Sequence, residues 1–145
     1  MFNPIEYPNL AAEGHTPRSP KSPKYNCIAW AADDKTRWWW PSIGYYWPNG
    51  VPRANTVEAF VQAFGAIGYV ECDDAECANP AYEPGVDRIA LYVLNGIPKH
   101  AARQIDATAW WSKMGRNIDL EHTLRALEGP YYGRVHKILK RAPPP

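Results

Sequence analysis

The chain has 145 residues, enough for one domain with one real core but not for two. Sixteen Lys and Arg against fifteen Asp and Glu leave a formal charge of +1, so no electrostatic footprint selects nucleic acid or an anionic membrane surface as a partner. Fifteen prolines, seven tryptophans and nine tyrosines describe a loop-rich protein with aromatic anchors, and three cysteines, an odd number, argue for reduced thiols.

Met1-Phe2-Asn3-Pro4-Ile5-Glu6 has neither the basic start nor the apolar core of a signal peptide, and no apolar run approaches the ~20 residues a membrane span needs. A soluble cytoplasmic chain is expected; leaderless export would leave no such mark. Residues 1–24 carry Pro4, Pro8, Pro17, Pro20 and Pro23 and are expected to form an irregular arm, its first part pinned by Phe2, Ile5, Tyr7 and Leu10. His15 in this arm is expected to be solvated. Residues 25–141 form the domain and residues 142–145 a proline tail.

Residues 28–32 read as a short buried helix with Asn26 or Tyr25 near its cap. Arg37-Trp38-Trp39-Trp40-Pro41 and the proline- and glycine-broken stretch up to Pro52 predict a long structured loop. Val57, Phe60, Val61 and Phe64 recur at helical spacing, with Asn55 or Thr56 as cap and Gly68 closing the helix. A short strand from Tyr69 leads to an acidic loop over residues 72–77, where Cys72 and Cys77 lack the companions of a zinc site. Residues 88–94 and 99–105 predict a hairpin about Asn95-Gly96, and a third strand is expected over residues 109–113. Residues 119–127 read as a short helix and residues 133–139 as a last strand, with His136 structural. The order predicts an α+β fold in which two helices pack on an antiparallel sheet.

A cysteine opening a helix, followed by a hairpin whose second strand begins with a histidine, is the pattern a thiol hydrolase needs. Unpaired N–H groups at the helix start favour thiolate, and the imidazole handles the thiol proton. Here these are Cys27 and His100. Ser112 on the next strand or Gln104 on the histidine's own strand can orient the ring. Trp38, Trp39 and Trp40 are candidate stacking surfaces for a peptide or glycan, and Asn26, Gln104 and Lys113 candidate polar contacts to substrate. Glu121 and His122 are expected to reach the mouth of the pocket. No metal or organic cofactor is expected.

Tyr25-Asn26-Cys27-Ile28-Ala29-Trp30-Ala31, followed by Asp87-Arg88-Ile89-Ala90-Leu91-Tyr92-Val93-Leu94-Asn95-Gly96-Ile97-Pro98-Lys99-His100-Ala101, resembles the papain-like cysteine hydrolases, nearest to the NlpC/P60 and CHAP group. The resemblance implies a papain-like fold, with Cys27 as nucleophile, His100 as base and Ser112 as third member. It also implies an amide substrate: a peptide, peptidoglycan or protein, cleaved or deamidated, with delivery as a bacterial effector or toxin one setting. The chain is similar as well to a bacterial domain with the same Asn-Cys-Ile-Ala-Trp-Ala, Trp-Trp-Trp-Pro, His-Ala-Ala and Trp-x-Ser-Lys segments, a likeness that implies no activity. The rival expectation is a non-catalytic module that binds a peptide or glycan through the aromatic loop of residues 38–47.

Overall fold

The computed structural model describes residues 6–13, 16–19, 24–114 and 119–142. Seven strands, β1 (Thr16–Ser19), β2 (Val70–Glu71), β3 (Asp87–Leu94), β4 (Ile97–Gln104), β5 (Trp110–Lys113), β6 (Asp119–His122) and β7 (Arg134–Arg141), form one sheet in the order β1-β6-β5-β4-β3-β7-β2. Every pairing is antiparallel. The β3–β4 turn has Asn95 at φ 52° and Gly96 at φ 79°, the two left-handed residues that a two-residue hairpin with the native strand twist requires. The α+β class and this hairpin are as the sequence predicts.

Side chains alternate between the two faces of the sheet. Ile89, Leu91, Ala101 and Leu139 pack under α2 (Cys27–Ala31) and α3 (Val57–Gly65), with Trp39 and Trp47 of the aromatic loop. Ala90, Tyr92, Ala102 and Ile138 point the other way, onto Leu10 of α1 (Pro8–Glu13) and onto Ala126 and Leu127 of a 3-10 helix, Leu124–Leu127. Both helices of the first face start on a side-chain cap: Asn26 Oδ1 accepts from Ala29 N–H at 3.1 Å and Thr56 Oγ1 from Ala59 N–H at 3.2 Å. Ala29 and Ala31 are fully buried, small enough to let α2 approach β4 and β5 closely.

Three expectations are corrected. The arm is not irregular throughout: it supplies α1 and the edge strand β1, and Tyr7 and Leu10 are buried in the second core. Phe2, Ile5 and His15 lie outside the described residues. Residues 119–127 are not one helix, because Leu120 and His122 pair with Ser112 and Trp110 across β5, and this pairing outweighs a weak helical preference until the 3-10 turn. The acidic stretch is not all loop: Asp73 accepts from Glu76 N–H at 2.9 Å and caps α4 (Asp74–Ala78). Among the described residues no helix is long and apolar enough to cross a membrane.

Candidate active site

Cys27 is the first residue of α2 and lines a cavity of about 400 Å³. Trp38, Trp40 and Tyr45 wall it from the aromatic loop, Tyr131 and Tyr132 from the turn before β7, and Lys99 from the start of β4. Among the described residues no carboxylate lines it. Asn26 holds the two sides of this construction together. Besides capping α2, its amide donates to Trp39 O at 2.9 Å, and its Oδ1 also accepts from Trp39 N–H at 3.2 Å. Trp39 itself is 3% exposed and does not line the cavity, which corrects its assignment as a stacking surface: its indole points inward to Asp34, 2.9 Å away. Burial alone would raise the Asp34 carboxyl, but hydrogen bonds from Thr36, Trp39 and Arg37 hold it well below the usual carboxylate range.

The β4–β5 ladder joins only Arg103 to Trp111 and Gln104 to Trp110. Earlier along β4 the backbone N–H of Ala101 faces the Cys27 sulfur, as do those of Ile28 and Cys27 itself. These donors and the nearby Lys113 charge favour thiolate, yet burial dominates and pushes the thiol up to about 11. Burial therefore works against the helix-start donors on which the expectation of an activated thiolate relies. Burial acts on His100 as well: burial first and the neighbouring His122 second hold its pKa well below the usual value.

His100 sits opposite Tyr92 on β3, with ring centroids 5.5 Å apart, and stacks on Tyr132 at 4.1 Å. It is fully buried and neither ring nitrogen has a hydrogen-bond partner among the described residues, so no hydrogen bond joins it to Cys27 in this conformation. Strand alternation explains this. Ala101 turns toward α2, and His100 beside it turns to the opposite face. Tyr132 is the residue that touches both sides, lining the Cys27 cavity while stacking on His100.

In this conformation Ser112 makes no hydrogen bond to His100; its Oγ lies 2.6 Å from His122 Nε2. His122 is thus not at the mouth of the pocket but 4% exposed inside the second face, and Glu121, on the other side of β6, accepts from the Trp111 indole at 3.1 Å. Gln104 donates to Ala81 O at 2.9 Å and is absent from the cavity lining, so neither the orienting nor the substrate-contact assignment holds for it. Lys113 is also sealed away, 0% exposed, with Nζ 5.3 Å from the Tyr25 ring centroid; it acts on Cys27 by its charge. Tyr25 in turn donates to Asp119 at 3.1 Å. Ser42, Lys99, Tyr131 and Tyr132 line the cavity but are not singled out from the sequence, and Tyr132 is the one of them that also reaches His100. Tyr131 and Tyr132 are framed by Gly129 and Gly133, whose backbones exchange hydrogen bonds at 2.9 and 2.8 Å, a short closed turn that marks them.

No curated protein matches the chain, and no solved structure does. A family model does, over residues 17–140: the chain belongs to the family described as Domain of unknown function (DUF7689).

Proposed function

We propose that the protein is a papain-like cysteine hydrolase of amide bonds, with Cys27 as nucleophile and His100 as base. The observation that carries this reading is Cys27 at the head of α2, its thiol in a cavity between aromatic walls and against the N–H of the residue next to His100. Because burial favours the neutral form of both thiol and imidazole, the pair works as a general-base pair rather than a stored ion pair. In this reading the His100 ring, which at rest faces away from α2 and stacks on Tyr132, leaves that stack to bring a ring nitrogen to the sulfur and takes its proton as the sulfur attacks the carbonyl carbon. The C–N bond then breaks, the leaving amine takes the proton from His100, and water hydrolyses the thioester to a carboxylate and the free thiol. The backbone N–H groups of Cys27 and Ile28 supply donors for the oxyanion. Aromatic walls with one ammonium and, among the described residues, no carboxylate suit a peptide or glycopeptide segment of neutral or negative charge.

The test is acylation of the purified chain by a p-nitrophenyl ester and by peptide amides, followed by intact mass. The expected result is a single acyl group on Cys27, absent in Cys27→Ser and slowed at least ~100-fold in His100→Ala. Equal acylation of Cys72 and Cys77 rejects the reading.

One observation favours a second reading. The resting pair is not hydrogen bonded and two of the walls, Tyr45 and Tyr131, are exposed, as suits a cleft that binds a peptide or glycan without chemistry. Cys27→Ala then keeps full affinity and effect, whereas Trp38→Ala and Trp40→Ala lose both.

A further inference from the structure

We propose that His122 is a positioning residue of the thiol–imidazole pair, fixing the Ser112 hydroxyl as a hydrogen-bond acceptor for His100. The inference rests on the hydrolase reading above. A serine is a poor orienter for an imidazole when its hydroxyl is free to rotate. Here it is not. His122 Nδ1 lies 2.7 Å from the Thr123 carbonyl, which only accepts, so Nδ1 carries the proton. In the neutral ring Nε2 is then an acceptor, and at 2.6 Å it takes the Ser112 hydroxyl hydrogen. The Ser112 oxygen is left with its lone pairs and no hydrogen to give.

The placement of the three residues fits that use. Ser112 and His122 alternate onto the face of β5 and β6 that carries Trp110 and Leu120, the same face on which His100 meets Tyr92. Exposures are 0% for His100, 0% for Ser112 and 4% for His122, so water is a poor competitor for these groups. Two tyrosine rings pack against His100: Tyr92, whose hydroxyl donates to Leu124 O at 2.6 Å, and Tyr132, stacked at 4.1 Å. A buried imidazole with neither nitrogen partnered among the described residues is a costly feature that invites a partner. When His100 takes the Cys27 proton it has two N–H donors. One serves the leaving amine, and the other, once the ring turns, meets the prepared Ser112 oxygen. No proton passes on to His122, whose charge would oppose that of His100.

The test uses the full chain with ¹⁵N-labelled histidine together with the p-nitrophenyl ester assay. His122→Phe removes the acceptor, His122→Gln keeps one at the Nε2 position, and Ser112→Ala and Ser112→Thr remove and keep the hydroxyl. The expected result is that His122→Phe and Ser112→Ala each slow Cys27 acylation about 10- to 100-fold with ester affinity unchanged. The double variant is no slower than either, and His122→Gln and Ser112→Thr keep most of the rate. In the spectra, the His100 ring nitrogens shift in His122→Phe and in Ser112→Ala but hold their wild-type positions in the two conservative variants, while exposed His136 stays put. Unmoved His100 signals, or additive rate losses, overturn the proposal. A wild-type chain that is not acylated at all rejects the hydrolase reading, and the His100 spectra still decide whether the three side chains are coupled.

Discussion

The two faces of the sheet treat their polar groups in opposite ways. On the Cys27 face one side chain, Asn26, satisfies the helix start and both backbone groups of Trp39, so the cavity wall is held by hydrogen bonds that are complete. On the His100 face Ser112, His122 and Thr123 satisfy one another, but the imidazole at the centre has no partner among the described residues. The difference separates framework from chemistry. A group whose bonds are complete gains little by moving, and one buried without partners gains much by finding one.

The strongest way to break this contrast is at the turn both faces share. Gly133 has φ 82°, and a Cβ there would collide with the Val93 carbonyl and lie 2.7 Å from Leu94 Cα. Gly133→Ala is expected to cost about 4 kcal/mol or more in denaturant unfolding and to displace Tyr132 from both His100 and the cavity. Asn26→Ala strikes the cavity face alone. Loss of the cap and of two backbone partners for Trp39 predicts about 2–4 kcal/mol of destabilisation, with the His100 face left intact by histidine NMR.

The titrations sharpen the comparison further, with opposite signs. Folded Cys27 keeps its proton until about 11, whereas the unfolded thiol releases it near its ordinary value of 9.0. The folded state therefore binds more protons over that window, and stability falls by about 1.4 kcal/mol per pH unit as pH rises through it. Cys27→Ala removes this share of the alkaline limb in urea melts, while the buried tyrosines, also raised by burial, keep theirs. His100 has its folded pKa below the unfolded value of 6.5, so the unfolded chain binds the extra proton and stability is lost as pH falls below 6.5. His100→Gln removes that share of the acid sensitivity. The smallest effect is expected at Lys99→Ala on the cavity rim, within about 0.5 kcal/mol of wild type, with weaker binding of anionic peptides the only measurable change.

Much of the fold is legible in local chemistry. Asn95-Gly96 specifies its hairpin, and Thr56 and the spacing of Phe60 and Phe64 specify α3, because turn, cap and stripe are written within a dozen residues. The strand Asp119–His122 is not legible in this way: only its partners on β5 make it a strand, and no local signal records them. The site divides along the same line. Cys27 and its place at the start of α2 can be read from Asn26 onward. What cannot be read is the side of β4 to which His100 turns. The ladder shifts register between Tyr92 and Val93, beside the Pro98-Lys99 segment, so counting alternate residues does not say which face meets α2. The thiol's protonation escapes the sequence for a similar reason. The donors at the helix start are local and visible, but the burial that outweighs them is made by β4, the aromatic loop and Tyr132, which are distant in sequence.

That burial has a consequence for the protein's endurance in oxidising surroundings. Peroxide attacks thiolates that solvent can reach, and Cys27 is 7% exposed with its proton held on, while Cys72 and Cys77 are more open to solvent. The sulfur on which the proposed chemistry depends is thus sheltered from sulfenic acid formation until something draws its proton away. The same enclosure that makes the resting thiol unreactive is what keeps it usable, and the other two cysteines are expected to carry the first oxidative damage.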